Sequence, residues 1–198
     1  MGRLIPLLFA SASILFADPG RDLAEAARTQ IGVTLHYDSR YRKLAYPGGD
    51  LPMDRGVCTD VVIRAYRRLG IDLQVLVHQD MAKAWDAYPK GWHMKSTDTN
   101  IDHRRVPNLA TFFSRHGRSL GVGTDPKDYL PGDIVTWRLT SGVPHIGLVS
   151  DRRSDAGTPL VIHNIGWGAM EEDRLFGFAI TGHYRYVPEG LGQARGKR

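Results

Sequence analysis

The chain has 198 residues, of which 42% are hydrophobic and 24% charged, enough to bury one core and too apolar for wholesale disorder. Its formal net charge of +5 suits an anionic partner, and sign alone admits cell wall, lipid headgroups or nucleic acid. Zinc-finger spacing and an aromatic RNP-like strand are absent from the sequence, so no nucleic-acid partner is expected.

Residues 1–17 have the layout of a signal peptide. Arg3 supplies the positive end, Leu4 to Ala17 is apolar, and Asp18-Pro19-Gly20 interrupts the run. The run is short for a membrane span. Ala10-Ser11-Ala12 offers a small-x-small cleavage site, and cutting after Ala17 is a second option. The chain is therefore expected to be exported, periplasmic or extracellular, with no membrane association beyond the signal peptide. Residues 18–190 are expected to form one domain and residues 191–198 a basic flexible tail. A monomer is expected.

The helical spacing of Leu23, Ala26, Ala27 and Ile31 predicts a helix over Asp22 to Ile31. Thr34 to Asp54, rich in Tyr, Gly and Pro, reads as a long ordered loop. A helix follows from Cys58 to Leu69, ended by Gly70, then another from Leu73 to Ala87. Trp92 to Arg105 is polar and irregular, and Pro107 opens a short helix through Arg115. The period then changes. Strands are predicted over Asp133–Leu139, His145–Val149, Leu160–Ile165 and Ala179–Val187. Glu171, Glu172 and Asp173 read as a solvated turn. Helices first and an antiparallel sheet afterwards is an α+β plan.

The lone cysteine carries the chemical argument. Exported proteins that use cysteine structurally carry it in pairs, and an unpaired thiol is open to oxidation. Cys58 stands in Gly56-Val57-Cys58-Thr59-Asp60 at a predicted helix start. Free N–H groups and the helix dipole there favour a thiolate, and the same N–H groups suit an oxyanion. The alternative is a small buried hydrophobe.

A thiol nucleophile needs an imidazole, and eight histidines are available. His145 is the choice: it opens an otherwise apolar strand, with Gly147 on the same face leaving space beside the ring. A third group must orient that ring. His163 and Asn164 both qualify; they fall on opposite faces of the next strand, and both faces are apolar. Asp60 is placed to cap the helix or to orient a substrate amine. Asp102-His103-Arg104-Arg105 is a charge cluster, either a solvated loop or part of a substrate site. Tyr46, Trp137 and Trp167 line a cleft or belong to the core.

In this order, Tyr46-Pro47-Gly48-Gly49, Val57-Cys58-Thr59-Asp60, His145-Ile146-Gly147-Leu148-Val149 and Ile162-His163-Asn164 resemble the NlpC/p60 superfamily of papain-like cysteine peptidases. More closely, Tyr46–Asp50, Gly56–Asp60, Asn100–Asn108, Pro144–Val149, His163–Gly168 and Gly182–Tyr186 resemble an exported bacterial family of domains of unknown function, number 1287. The resemblance implies a papain-like fold with Cys58 as nucleophile, His145 as base and His163 as orienting residue, Asn164 keeping a claim. It implies a cysteine amidase or peptidase without cofactor or metal, acting on peptidoglycan or a related peptide, with Tyr46, Asp60, Asp102, His103, Arg104 and Trp167 around the substrate. The superfamily has an acidic residue before its cysteine, whereas here Asp60 follows it. Two other readings are a non-catalytic wall-binding module and a zinc peptidase built on His145, Asp151 and His163 or His183.

Overall fold

The computed structural model describes residues 18–91, 95–188 and 191. The expected signal peptide and, apart from Leu191, the expected tail lie outside these residues. Among them, no helix is long and apolar enough to cross a membrane.

Helix α1 (Pro19–Arg28) begins where the sequence seemed only to break. Asp18 Oδ1 accepts the Gly20 and Arg21 N–H groups at 3.1 and 3.2 Å, and Pro19 in the first turn has no N–H to leave unpaired. The helix buries Leu23, Ala24, Ala26 and Ala27 against helix α2 (Cys58–Arg68) and the sheet. Helix α2 is buried continuously from Cys58 to Tyr66, the mark of a helix inside a core. Each fully buried aliphatic there contributes roughly 1.5–3 kcal/mol. Gly70, at φ 86°, ends the segment in the left-handed region that glycine tolerates.

Helix α3 (Leu73–Lys83) stops short of the predicted Ala87, and a 3₁₀ turn, Trp85–Ala87, follows. A continuous helix would carry Tyr88 about 12 Å along the axis from Asp80. The break lets the buried Tyr88 donate its hydroxyl to Asp80 Oδ2 at 2.7 Å. Helix α4 (Val106–His116) has Pro107 in its first turn. Between α3 and α4, Asp102–Arg104 forms a buried 3₁₀ turn instead of a solvated loop.

In the long loop, β1 (His36–Tyr37) pairs in parallel with β2 (Arg55–Gly56), setting Tyr37 opposite Gly56, two residues before Cys58. The main sheet contains β3 (Arg118–Leu120), β4 (Ile134–Arg138), β5 (Pro144–Arg153), β6 (Pro159–His163), β7 (Met170–Glu172) and β8 (Ala179–Arg185). All its pairings are antiparallel, in the order β3-β8-β4-β5-β6-β7. Glu171 and Glu172 therefore lie in an edge strand, correcting the solvated turn expected from their charge. One face of the sheet joins the helical core through Ile134, Ile146, Leu148 and Ile162. The other forms a smaller core of Tyr129, Val135, Trp137, Val149, Val161 and Leu175. The protein is α+β, with its early helices packed on an antiparallel sheet.

Candidate active site

Strand β2 ends at Gly56, Val57 is extended, and α2 begins at Cys58. A Cβ on Gly56 would stand 3.1 Å from the Asp60 carboxylate and 3.2 Å from Arg64 Nη1, so glycine permits this approach. Asp60 Oδ2 accepts the Val57 N–H at 2.7 Å. The same carboxylate takes a bidentate fork from Arg104, with both contacts at 3.0 Å. Both side chains are buried, so Asp60 caps the cysteine helix and neutralises Arg104 in one contact.

The backbone N–H groups of Ile146, Thr59 and Cys58 itself lie near the sulfur and favour its anion. The Tyr37 hydroxyl also lies by it. The expected helix-terminal donors are thus present, but they do not win. Burial pushes the thiol up to about 11, and the nearby Asp60 charge adds to the rise. The lowered pKa expected for this position is corrected: Cys58 is only 4% exposed, and desolvation outweighs three N–H donors.

His145 follows Pro144 on β5, one residue before the Ile146 N–H that touches the sulfur. His145 Nε2 lies 2.8 Å from His163 Nδ1, with ring planes 71° apart. His163 Nε2 lies 3.0 Å from Glu172 Oε2. A Cβ on Gly147 would meet Ile162 O at 2.9 Å, His163 Cβ at 3.0 Å and Trp137 at 3.3 Å, so the glycine makes room for the second imidazole. Burial pushes His145 down to about 3, helped by His163. Burial also lowers His163, against the opposing pull of Glu172. Thiol and imidazoles are therefore neutral at rest.

Asn164 is buried but turns elsewhere: Nδ2 donates to Gly56 O at 3.2 Å, and Oδ1 accepts the Gly166 N–H at 3.1 Å. It ties the loop after β6 to the strand before Cys58. Trp137 is core, its Nε1 donating to Leu175 O at 2.8 Å.

Cys58 opens on a cavity of about 340 Å³ that Tyr37, Tyr41, Arg104, Arg105 and Val143 also line. Larger hollows of about 420, 430 and 550 Å³ lie elsewhere, and none of these is lined by a serine, threonine or cysteine. Arg104 is the one residue of the expected substrate set on the cavity wall. Tyr46 packs edge-on against His78, with ring centroids 5.4 Å apart. Asp102 Oδ2 accepts the Asp98 N–H at 2.6 Å and lies 3.4 Å from His78 Nδ1. His103 is buried with Nδ1 unpartnered. Trp167, 85% exposed, borders a separate hollow of about 280 Å³ beside His163 and Glu172. The zinc arrangement is not assembled: Asp151 pairs with Arg28, and His183 with Asp133. Among the described residues, no group of three or more His, Cys, Asp or Glu is placed to hold a metal.

Sequence reasoning missed Tyr37 and Glu172. Tyr37 stands in a two-residue strand, too short to show a period, and Glu172 was hidden in an acidic run.

An α+β domain with a cysteine at a helix start and a pair of bonded histidines on two adjacent strands of the sheet is the class this fold and site define. A family model described as a domain of unknown function, DUF1287, matches residues 24–186, and the chain belongs to that family. The uncharacterized protein YijF of Escherichia coli strain K12 is 60% identical over 164 residues, 83% of this chain and 80% of that protein. Among solved structures, NlpC1 from Trichomonas vaginalis is similar at a TM-score of 0.47 and 20% identity, over 88% of this chain and 46% of that chain.

Proposed function

We propose that the protein is an exported cysteine amidase or peptidase of papain-like type, hydrolysing an amide bond in cell-wall peptide. The observation that carries this reading is a cysteine on the wall of a cavity. The Ile146 N–H lies by it, and the preceding residue, His145, has Nε2 bonded to a second histidine. Cysteine, base and orienting histidine also follow the chain order of the NlpC/p60 peptidases.

In this mechanism the thiol is neutral until substrate enters. Sγ attacks the amide carbonyl carbon as His145 takes the thiol proton. The oxyanion is stabilised by N–H groups at the start of α2. The proton passes to the departing amine and leaves an acyl-enzyme. Water, activated by the same imidazole, releases the acid and restores the thiol.

Incubation with purified peptidoglycan fragments, read by mass spectrometry, tests this. The wild type is expected to cut a peptide amide, and Cys58→Ala and His145→Ala to lose on the order of 10⁶-fold in rate. Fragments left intact by every protein would refute the wall substrate. Equal cutting by wild type and Cys58→Ala would refute the thiol mechanism.

The thiol's burial and raised pKa favour a second reading, a binding module on the same scaffold with an idle site. That reading expects retention of wall fragments without cleavage, and equal retention by Cys58→Ala.

A further inference from the structure

We propose that Glu172 is a positioning residue that sets the tautomers of both histidines and so leaves His145 Nδ1 unprotonated, free to accept a proton. The inference rests on the reading of Cys58 and His145 as a reacting pair and deepens it. Its ground is a chain of contacts: Glu172 Oε2 to His163 Nε2 at 3.0 Å, then His163 Nδ1 to His145 Nε2 at 2.8 Å.

Each link has one consistent assignment. A carboxylate has no proton to donate, so His163 Nε2 must carry the hydrogen. Burial keeps His163 neutral, and a neutral imidazole has one donor and one acceptor. His163 Nδ1 is therefore the acceptor, and His145 Nε2 must donate to it. His145 is also held neutral, so its Nδ1 carries the free lone pair. Only that tautomer can accept a thiol proton through Nδ1.

The fold places Glu172 for this task. In the β6–β7 register Glu172 stands opposite Val161 and Met170 opposite His163, so Glu172 is the diagonal neighbour of the histidine. Its side chain keeps 26% exposure while that of His163 keeps 2%, so the charge sits in contact with water and the imidazole does not. The hollow bordered by Trp167 and Phe178 opens at that end. Glu171, its neighbour in the strand, points to Arg28 and Arg152 instead, which divides the labour between the two acids.

The test is nitrogen-15 NMR of the histidine rings in the full chain at neutral pH, with thiol alkylation by iodoacetamide in parallel. In the wild type both His145 and His163 are expected as the Nε2–H form. Glu172→Met removes the acceptor and is expected to shift both rings toward Nδ1–H. Alkylation of Cys58, and turnover where substrate is cut, should slow by about 10- to 100-fold through kcat with KM little changed. Glu172→Gln keeps a carbonyl acceptor and should restore the wild-type tautomers. An Nδ1–H form of His163 in the wild type would overturn the proposal without any variant. So would tautomers unmoved by Glu172→Met in a protein whose remaining amide spectrum is native. Tautomers that shift as expected in a protein that cuts no peptide would uphold this inference while sinking the hydrolase reading.

Discussion

Gly147 governs the site without any chemistry of its own. It separates His145 from Val149 along one face of β5, and His163 packs into the space where its side chain would be. Gly147→Ala must therefore displace either His163 or the backbone of β6. Overpacking of this kind costs about 1–3 kcal/mol. A shift of an ångström in the orienting imidazole is expected to lower turnover by on the order of 10²-fold. Activity that survives intact in a folded Gly147→Ala variant would show that His163 need not sit where it does. The glycine's role was legible in the sequence because an imidazole beside a missing side chain is a local pattern. The choice between His163 and Asn164 was not. Both faces of β6 are buried, one in each core, so neither face reads as the inside. Only the register with β5 and the bond from Asn164 to Gly56 separate them.

Helix α2 was legible from its apolar run and terminal glycine, and its first turn from Cys58 and Asp60. Its partner was not. Arg104 arrives from 44 positions away in a cluster whose composition reads as solvent-facing. Folding instead makes a buried ion pair across the start of the helix. Removing one partner of such a pair leaves the other charge uncompensated, at about 3–5 kcal/mol. Arg104→Met should cost that much in urea titrations, and Asp60→Asn a similar amount because the Val57 N–H also weakens. A joint Asp60→Leu/Arg104→Met replacement should recover part of the loss. A double variant no more stable than the worse single one would mean that capping, not charge pairing, holds the turn. The edge strand β7 was invisible for a different reason. Three residues cannot display a period of two, and two adjacent acids look like surface. Here one acid turns to His163 and the other to Arg28, which fastens α1 to the far edge of the sheet.

Across the whole molecule, buried neutral imidazoles couple folding to pH. Burial pushes His103 down to about 3, with the charges of Arg104 and Arg67 adding to the shift, and His145 falls to a similar value. In the unfolded chain each titrates at about pH 6.5, as in short peptides. Between roughly pH 6.5 and 3 the unfolded state therefore binds protons that the folded state refuses, and stability falls as pH falls. Carboxylates enter lower down. Asp80, Asp133 and Glu171 are buried, which raises them, but bonds from Arg115, Tyr88 and His116, from His183 and Arg185, and from Arg28 and Ser150 hold them below their ordinary range. Their contribution is full above about pH 4 and is lost below it. The urea midpoint is expected to drop between pH 7.5 and 5, before the carboxylates titrate, and His103→Met should flatten that drop. A midpoint constant over this range would show that the imidazoles are protonated in the native fold. The order of helices before sheet was readable from the change of period alone, whereas this coupling needed the burial that only the folded chain supplies.

The raised thiol also bears on how long the molecule lasts. At neutral pH a group titrating near 11 is ionised in only about one copy in ten thousand. The anion is the form that attacks peroxides and stray disulfides, so these oxidants meet almost none of it. A single sulfur without a disulfide partner can then persist in its reduced form, because burial withholds the reactive anion.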